Sequence, residues 1–245
     1  AEQGHAEGQF NLGGMYIHGE GIPEDYDEAL KWFRLAAEQG VADAQAILGA
    51  MYYEDIGVPQ DYREALKWNR LAAEQGNALA QFNLGVMCNV GEGVPQDYNE
   101  ALKWFRLAAE QGFALAQAVL GETYFFGEDV PQDYKEALKW NRLAAEQGNA
   151  LAQFRLGSMY YEGIGVPQDY KEALKWYRLA AELGQVQAQA GLGTMYYLGD
   201  GVPHDFTLAY MWLNLSSASG VSVVKELRDG LRGEMTSEQI AEGQG

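Results

Sequence analysis

The residue types that most often carry catalysis or bind metal ions are few in this chain and widely separated. Its three histidines, His5, His18 and His204, show no His-x-x-x-His spacing, so they do not form the helical zinc motif. The single cysteine, Cys88, excludes a disulfide or a multi-cysteine zinc site within the chain. We therefore predict no catalytic residues, no metal site and no cofactor.

One segment matches a catalytic motif by spacing alone. Ser222 and Lys225 have the Ser-x-x-Lys spacing of β-lactamase-like enzymes, but the companion motifs of that class are absent. Glycine-flanked serine, phosphate-loop and dinucleotide motifs are absent as well. The acidic loops at 91–93 and Glu128-Asp129 lack the ligand order of a calcium loop, and we interpret them as solvated turns. The sequence thus favours a function other than catalysis.

Charge and hydropathy exclude two further classes of protein. The 245 residues carry a net charge of −18, and so acidic a surface repels the phosphates of nucleic acids. No apolar run approaches the roughly 18 residues of a membrane-spanning helix. We expect a protein or peptide partner, no nucleic acid and no membrane span.

Prolines and tryptophans recur at a fixed interval of 36 residues, without a single insertion. A fixed period of about 20–50 residues is typical of a solenoid, in which repeated units stack on one another. The sequence therefore predicts an all-α solenoid of 36-residue helix-hairpin repeats. The two series are Pro23, Pro59, Pro95, Pro131, Pro167 and Pro203, and Trp32, Trp68, Trp104, Trp140, Trp176 and Trp212.

Each repeat is predicted to contain two helices, which we call helix A and helix B in chain order. In the second full repeat, apolar spacing predicts helix A over roughly residues 41–53 and helix B over roughly 61–75. Asp61 and Glu64 have the spacing of a capping box, in which each side chain binds a backbone amide at the start of helix B. Gly76 is placed to end the helix. The same spacing recurs at Asp25/Glu28, Asp97/Glu100, Asp133/Glu136 and Asp169/Glu172, and is lost at Asp205/Leu208.

Side-chain bulk alternates from one repeat to the next. We infer a duplication of a 72-residue pair of repeats, with large residues packed against small ones at successive interfaces. On helix A, Phe10, Phe82 and Phe154 alternate with Ala46, Ala118 and Ala190; on helix B, Phe33, Phe105 and Tyr177 alternate with Asn69 and Asn141.

The repeat resembles the Sel-1-like repeat (SLR) family, which is related to tetratricopeptide repeats. The pattern runs Ala-x-Ala-Gln-x-x-Leu-Gly-x-Met-Tyr, then Gly-x-Gly-Val-Pro-Gln-Asp-Tyr, then Glu-Ala-Leu-Lys-Trp-x-Arg-Leu-Ala-Ala-Glu-Gln-Gly, and is almost complete over 76–112 and 148–184. The resemblance implies a right-handed α/α superhelix, adaptor or scaffold work, and a bacterial source. The paired cysteines of the family's cysteine-rich subgroup are absent, so the penicillin-binding activity suggested for that subgroup is not expected.

The repeats predict the domain organisation. Residues 1–220 are expected to form six tandem repeats, and 221–245 degenerate capping helices, with a second capping box at Thr236 to Gln239. Residues 1–4 repeat the motif at 37–40, which predicts that the first repeat is preceded by the end of a truncated one. A targeting segment could precede it, which leaves the compartment open between periplasmic or secreted and cytoplasmic. A self-pairing C-terminus is the alternative to a cap, so we expect a monomer or a weak homodimer.

The positions that vary between repeats form one stripe on helix A, at i, i+4, i+7 and i+11. In a right-handed solenoid of this kind, helix A is expected to line the concave side. The stripe is apolar in repeats three to five, which predicts a groove for a peptide, with Asn83, Glu122 and Arg155 adding polar specificity. Two alternatives stay open: these side chains are partly buried between adjacent A helices, or the protein is a cell-envelope factor that binds glycan or cell-wall peptide. The predicted groove residues are Leu79, Asn83, Val86, Val90, Leu115, Val119, Glu122, Phe126, Leu151 and Arg155.

Overall fold

The computed structural model describes residues 4–127, 130–218 and 222–243, which contain fourteen helices and no strand. The predicted all-α fold of 36-residue hairpins is confirmed, and the predicted bounds of the second repeat differ from the observed ones by one residue. Glu128 and Asp129, residues 1–3 and the predicted boundary at 220/221 lie outside the described residues. The helices are α1 (Ala6–His18), α2 (Tyr26–Glu38), α3 (Ala42–Glu54), α4 (Tyr62–Glu74), α5 (Ala78–Val90), α6 (Tyr98–Glu110), α7 (Ala114–Phe126), α8 (Tyr134–Glu146), α9 (Ala150–Glu162), α10 (Tyr170–Glu182), α11 (Val186–Leu198), α12 (Phe206–Ser217), α13 (Ser222–Glu234) and α14 (Ser237–Glu242).

The chain divides into two compact units, Ala1–Gln117 (unit 1) and Ala118–Gly245 (unit 2). In both units the core consists of alanines from both helices of each hairpin, with Leu and Met side chains from helix A. Leu48 and Met87 are such residues in unit 1, and Leu156 and Met195 in unit 2. The small alanines allow close approach of the helices, and the larger side chains fill the space between them.

The start of each helix B is capped by only half of the predicted box. In α4, the Asp61 carboxylate accepts hydrogen bonds from the backbone amides of Arg63 and Glu64, as predicted. The Glu64 side chain does not reach back. Instead, it accepts from the Trp68 indole at 3.0 Å and pairs with Lys67 at 3.0 Å. The expectation of a full box was therefore wrong here, because Trp68 and Lys67, one turn further on, are the better partners for the carboxylate.

Two further capping predictions concern the C-terminal helices. At the start of α12, Asp205 still accepts from the backbone amide of Leu208 at 2.9 Å, so the substitution of Leu for Glu does not remove this cap. The predicted box at Thr236 and Gln239 is confirmed, with both hydrogen bonds present at the start of α14. Leu231 of α13 is buried in a cluster with residues of α11 and α12, so α13 covers part of the last repeat.

Buried glutamines join each repeat to the one before it. The Gln45 side chain, on α3, donates to the Ala37 carbonyl near the end of α2 at 3.0 Å, and its oxygen accepts from the Gln75 amide at 2.7 Å. The Ala37 carbonyl also accepts from the backbone amide of Gly40 at 3.0 Å, so the Gln45 side chain gives this helix-end carbonyl a second hydrogen bond. The same carbonyl bond recurs from Gln81, Gln117, Gln153 and Gln189.

Large side chains pack together in one hairpin, and small ones pack together in the next. Phe82 of α5 lies 5.7 Å from Phe105 of α6, so large packs against large within one hairpin, rather than large against small. The neighbouring hairpin places Asn69 of α4 against α3. A Cβ at Gly49 would lie 2.7 Å from that amide, so only glycine permits this contact. Bulky and slim hairpins therefore alternate along the chain.

Candidate functional site

The predicted groove residues of unit 1 lie on α5 and at the start of α7. We call the set Leu79, Asn83, Val86, Val90 and Leu115 the A face of unit 1. Val90 and Leu115 are 52% and 50% exposed, whereas the other three are half-buried. Leu79 packs against the core, as the alternative of partial burial expected. The exposed part of this face is thus apolar, with Asn83 as its polar member.

The remaining predicted residues belong to unit 2 and lie on α7 and α9. We call the set Val119, Glu122, Phe126, Leu151 and Arg155 the A face of unit 2. Phe126 and Leu151 are 51% and 41% exposed, and the other three are half-buried. Large apolar side chains left open to solvent at varying positions are the usual mark of an interaction surface when they lie together.

Glu122 and Arg155 form the polar centre of the A face of unit 2. Arg155 donates from Nε and Nη2 to the two carboxylate oxygens of Glu122, at 2.6 and 2.7 Å. The guanidinium carbon lies 4.4 Å from the Phe125 ring centroid and 4.8 Å from that of Phe126, within the range of cation–π attraction. The charge of Arg155 is therefore neutralised within the chain, and the exposed part of Phe126 remains available.

Asn83 makes a different contact in unit 1. Its amide nitrogen donates to the Asn69 side-chain oxygen at 3.1 Å. Asn69 is fully buried, and its own amide nitrogen has no hydrogen-bond partner among the described residues. A buried polar atom without a partner is uncommon and costly. All three polar residues predicted to give specificity thus contact other side chains of the chain.

Sequence reasoning did not identify a pair of tyrosine–carboxylate contacts between repeats. In unit 1, Tyr53 donates to Glu92 at 2.5 Å, and Tyr62 donates to the same carboxylate at 3.1 Å. In unit 2, Tyr161 donates to Asp200 at 2.7 Å. Burial, together with the hydrogen bond to the carboxylate, raises the pKa of Tyr53 and of Tyr161 well above the usual range of tyrosine. In both units the tyrosine precedes its acidic partner by 39 residues. This separation exceeds the 36-residue repeat, so the helical spacing within one repeat does not reveal the contact.

Cys88 is a buried side chain at the position that tyrosine occupies in neighbouring repeats. Burial, with the nearby carboxylates of Glu100 and Asp97, raises the pKa of its thiol, and Arg70 lowers it by less. A thiol held in the neutral form is a poor nucleophile. Cys88 thus fills a place in the core that other repeats give to tyrosine.

A row of leucines on helix B is exposed to solvent. Leu71, Leu107 and Leu143 are 41%, 44% and 39% exposed. They recur at the same place in each repeat, so they belong to the common framework rather than to the varying stripe. They provide a matched comparison for the A face.

Within the described ranges, no group of three or more His, Cys, Asp or Glu side chains is arranged to hold a metal ion. No described helix is long and apolar enough to cross a membrane.

Comparison with known proteins gives matches along most of the chain. The family model described as Sel1 repeat matches residues 6–41, 42–77, 78–113, 114–149, 150–185 and 186–221. A crystal structure of a protective antigen of uropathogenic Escherichia coli strains, displaying an SLR fold, is 40% identical with a TM-score of 0.86, over 99% of this chain and 52% of that one. The chain therefore spans about half the length of that antigen.

Two other solved structures show how far the similarity extends. A Sel1 repeat protein from Oxalobacter formigenes is 37% identical, with a TM-score of 0.80, over 88% of each chain. An immunity protein from Pseudomonas aeruginosa, at 21% identity and a TM-score of 0.54 over 87% of this chain and 81% of that one, shares the fold alone. No curated protein matched.

Proposed function

Because the chain belongs to the Sel1 repeat family, whose members are generally non-catalytic scaffolds for protein interactions, we propose that it binds a peptide or protein segment through the A faces of its two units. The observation that carries this proposal is the exposure of Val90 and Leu115 in unit 1 and of Phe126 and Leu151 in unit 2. These positions vary between repeats, whereas framework positions of the same helices are buried.

The energetics of such a surface favour an apolar segment with positive charge. Covering a half-exposed leucine or phenylalanine contributes on the order of 1 kcal/mol, so a few such contacts supply a useful part of the binding free energy. The net charge of −18 attracts a basic partner and accelerates its approach. The neutralised Arg155 adds no free positive charge to oppose it.

The test compares two triple variants with the same change in charge. In the first, Leu79, Leu115 and Leu151 of the A faces are replaced by Glu. In the second, the exposed helix-B leucines Leu71, Leu107 and Leu143 are replaced by Glu. Partners are captured from extracts of the source organism on immobilised wild-type protein and on both variants. We expect the A-face variant to lose the partner that the wild type retains, and the helix-B variant to keep it.

Two outcomes would contradict the proposal. One is equal retention of every captured partner by a folded A-face variant, with folding checked by circular dichroism. The other is retention of the wild type on purified cell-wall glycan, unaffected by the A-face changes and without any protein partner. The second result would favour the envelope-factor alternative.

A further inference from the structure

The same position within a hairpin has different neighbours in the two units. Asn69 of unit 1 and Asn141 of unit 2 lie 72 residues apart in the sequence and are both fully buried on helix B. Each lies against a glycine of helix A, and a Cβ on that glycine would come within 2.7 Å of the amide in unit 1 and 2.5 Å in unit 2. The buried amide is thus constant, and the helix-A side chains around it differ.

In unit 2, the chain itself places a guanidinium between helix A of one repeat and helix A of the next. Arg155 reaches from α9 to the Glu122 carboxylate on α7, and the Phe125 and Phe126 rings lie against its charged end. The side chains of Arg155 and Glu122 are only 14% and 22% exposed. This arrangement is an internal example of how the repeat holds an arginine.

In unit 1, the residues at the two equivalent positions are much shorter. Ala50 stands where unit 2 has Glu122, and Asn83 stands where it has Arg155. Both are half-buried. The space that a carboxylate and a guanidinium occupy in unit 2 is therefore not taken by the corresponding side chains of unit 1.

The buried amide has one end without a hydrogen-bond partner among the described residues in both units, Nδ2 of Asn69 in unit 1 and Oδ1 of Asn141 in unit 2. Asn69 accepts one hydrogen bond from Asn83, but the other end of its buried amide has no partner among the described residues. The nitrogen and oxygen of an amide exchange places on a 180° rotation, so the two asparagines together can present a free oxygen as well as a free nitrogen.

The remaining neighbours favour a cation. Tyr53 stands where unit 2 has Phe125, and its ring packs 5.4 Å from that of Tyr62, much as the Phe125 ring packs 5.5 Å from that of Tyr134. Glu54, an exposed carboxylate, stands where unit 2 has Phe126. A guanidinium is planar, offers five donors and stacks on aromatic rings, and it suits amide oxygens, a ring and a carboxylate at once. An anionic group would be repelled by Glu54 and by the net charge of the chain.

We propose that unit 1 holds an arginine side chain of the bound partner between Tyr53, Glu54 and Asn83, above the buried amide of Asn69. The partner's guanidinium takes the place that Arg155 takes in unit 2. This inference rests on the proposed function, since it assigns one side chain of the segment that the A face binds. It predicts a partner with an arginine among its apolar anchors.

The test uses small probes and the intact chain. Acetyl-arginine amide is titrated while the side-chain amide signals of Asn69 and Asn83 are followed by nuclear magnetic resonance, with acetyl-citrulline amide as a neutral probe of the same shape. We expect saturable shifts with the arginine probe and binding about tenfold weaker with citrulline. In the variant Ala50→Glu with Asn83→Arg, the chain supplies its own pair, and the arginine probe is expected to lose this site. In Glu54→Gln, binding weakens severalfold.

The proposal is overturned if the arginine probe leaves the Asn69 and Asn83 signals unmoved, or if citrulline binds equally well. It is also overturned if neither variant, each folded as judged by its amide spectrum, weakens binding. None of these results affects partner capture by Leu79, Leu115 and Leu151. A failure of the arginine site is therefore distinguishable from a failure of the proposed function.

Discussion

Arg155 and Glu122 form two parallel hydrogen bonds between α9 and α7, with Nε to Oε1 at 2.6 Å and Nη2 to Oε2 at 2.7 Å. The two side chains are mostly buried, so solvent screens this pair less than it screens the exposed Lys–Glu pairs of helix B. Fork-like pairing of this kind is among the stronger polar contacts in proteins. The pair fixes the polar centre of the A face of unit 2.

Removing either partner of this pair should cost more than removing both. Glu122→Ala leaves a mostly buried guanidinium unpaired, and Arg155→Asn leaves an unpaired carboxylate; each should lower the free energy of unfolding by about 2 kcal/mol. The double variant reproduces the residues of unit 1, and a coupling energy of about 1–2 kcal/mol should appear in a double-mutant cycle measured with urea. If the two single effects add to within about 0.3 kcal/mol, the pair is not a functional unit of the structure.

A missing hydrogen bond in unit 2 can be restored. Gln75 and Gln111 donate to the buried Gln45 and Gln81, each at 2.7 Å. Leu183 stands at the equivalent position two repeats after Gln111. The Oε1 atom of Gln153, which a glutamine at 183 would face, is buried without a partner among the described residues. We expect Leu183→Gln to raise the free energy of unfolding by about 1 kcal/mol.

The control for this prediction is Leu179→Gln on α10, four residues before Leu183. It exchanges another exposed leucine, with 39% exposure against 59% for Leu183. Chemical denaturation of both variants gives the comparison. If both variants change the free energy of unfolding equally, the cause is the removal of an exposed leucine and a hydrogen bond to Gln153 is not responsible.

The repeat made the fold predictable, because the fixed period of prolines and tryptophans sets the length of each hairpin and the place of its helices. The same regularity concealed what differs between repeats. Asn83 and Arg155 occupy equivalent positions and were both read as groove residues. Their partners, Asn69 and Glu122, lie on neighbouring helices. Which residues meet there depends on how the repeats pack against each other, and the spacing within one repeat does not predict it.

Raised tyrosine pKa values make the fold sensitive to alkali. The pKa of Tyr53 is raised in the folded state, first by burial and then by its hydrogen bond to Glu92, whereas an unfolded tyrosine titrates near pH 10. Below about pH 10 both states keep the proton and the contribution is fully present. Above it, only the unfolded state loses its proton, so the free energy of unfolding falls as pH rises.

The variant with Tyr53→Phe and Tyr161→Phe lacks two of these titrating groups. We expect its free energy of unfolding to fall less steeply than that of the wild type between about pH 9.5 and pH 11.5. Urea titrations at a series of pH values provide the measurement. An unchanged slope would mean that these two hydroxyls do not cause the alkaline destabilisation.

Cys88 should be unreactive when folded and replaceable by tyrosine. Burial raises the pKa of its thiol, so we expect slow alkylation by iodoacetamide at neutral pH, which becomes fast in urea. In other repeats the equivalent tyrosines, Tyr160 and Tyr196, contact Arg142 and Arg178 at 2.6 and 2.8 Å. Cys88→Tyr offers the same contact to Arg70. A gain in unfolding free energy of up to about 1 kcal/mol is expected, whereas a loss above about 2 kcal/mol would indicate overpacking.

The most direct test of the central claim is photo-crosslinking from the A face itself. Benzoylphenylalanine replaces Phe126, which is half-exposed on the A face of unit 2, and in a second protein it replaces Leu143, which is similarly exposed on helix B. After irradiation in extracts of the source organism, a discrete protein adduct from position 126 and none from position 143 is the predicted result. Adducts of equal yield from both positions, or from position 143 alone, would contradict the assignment of binding to the A face.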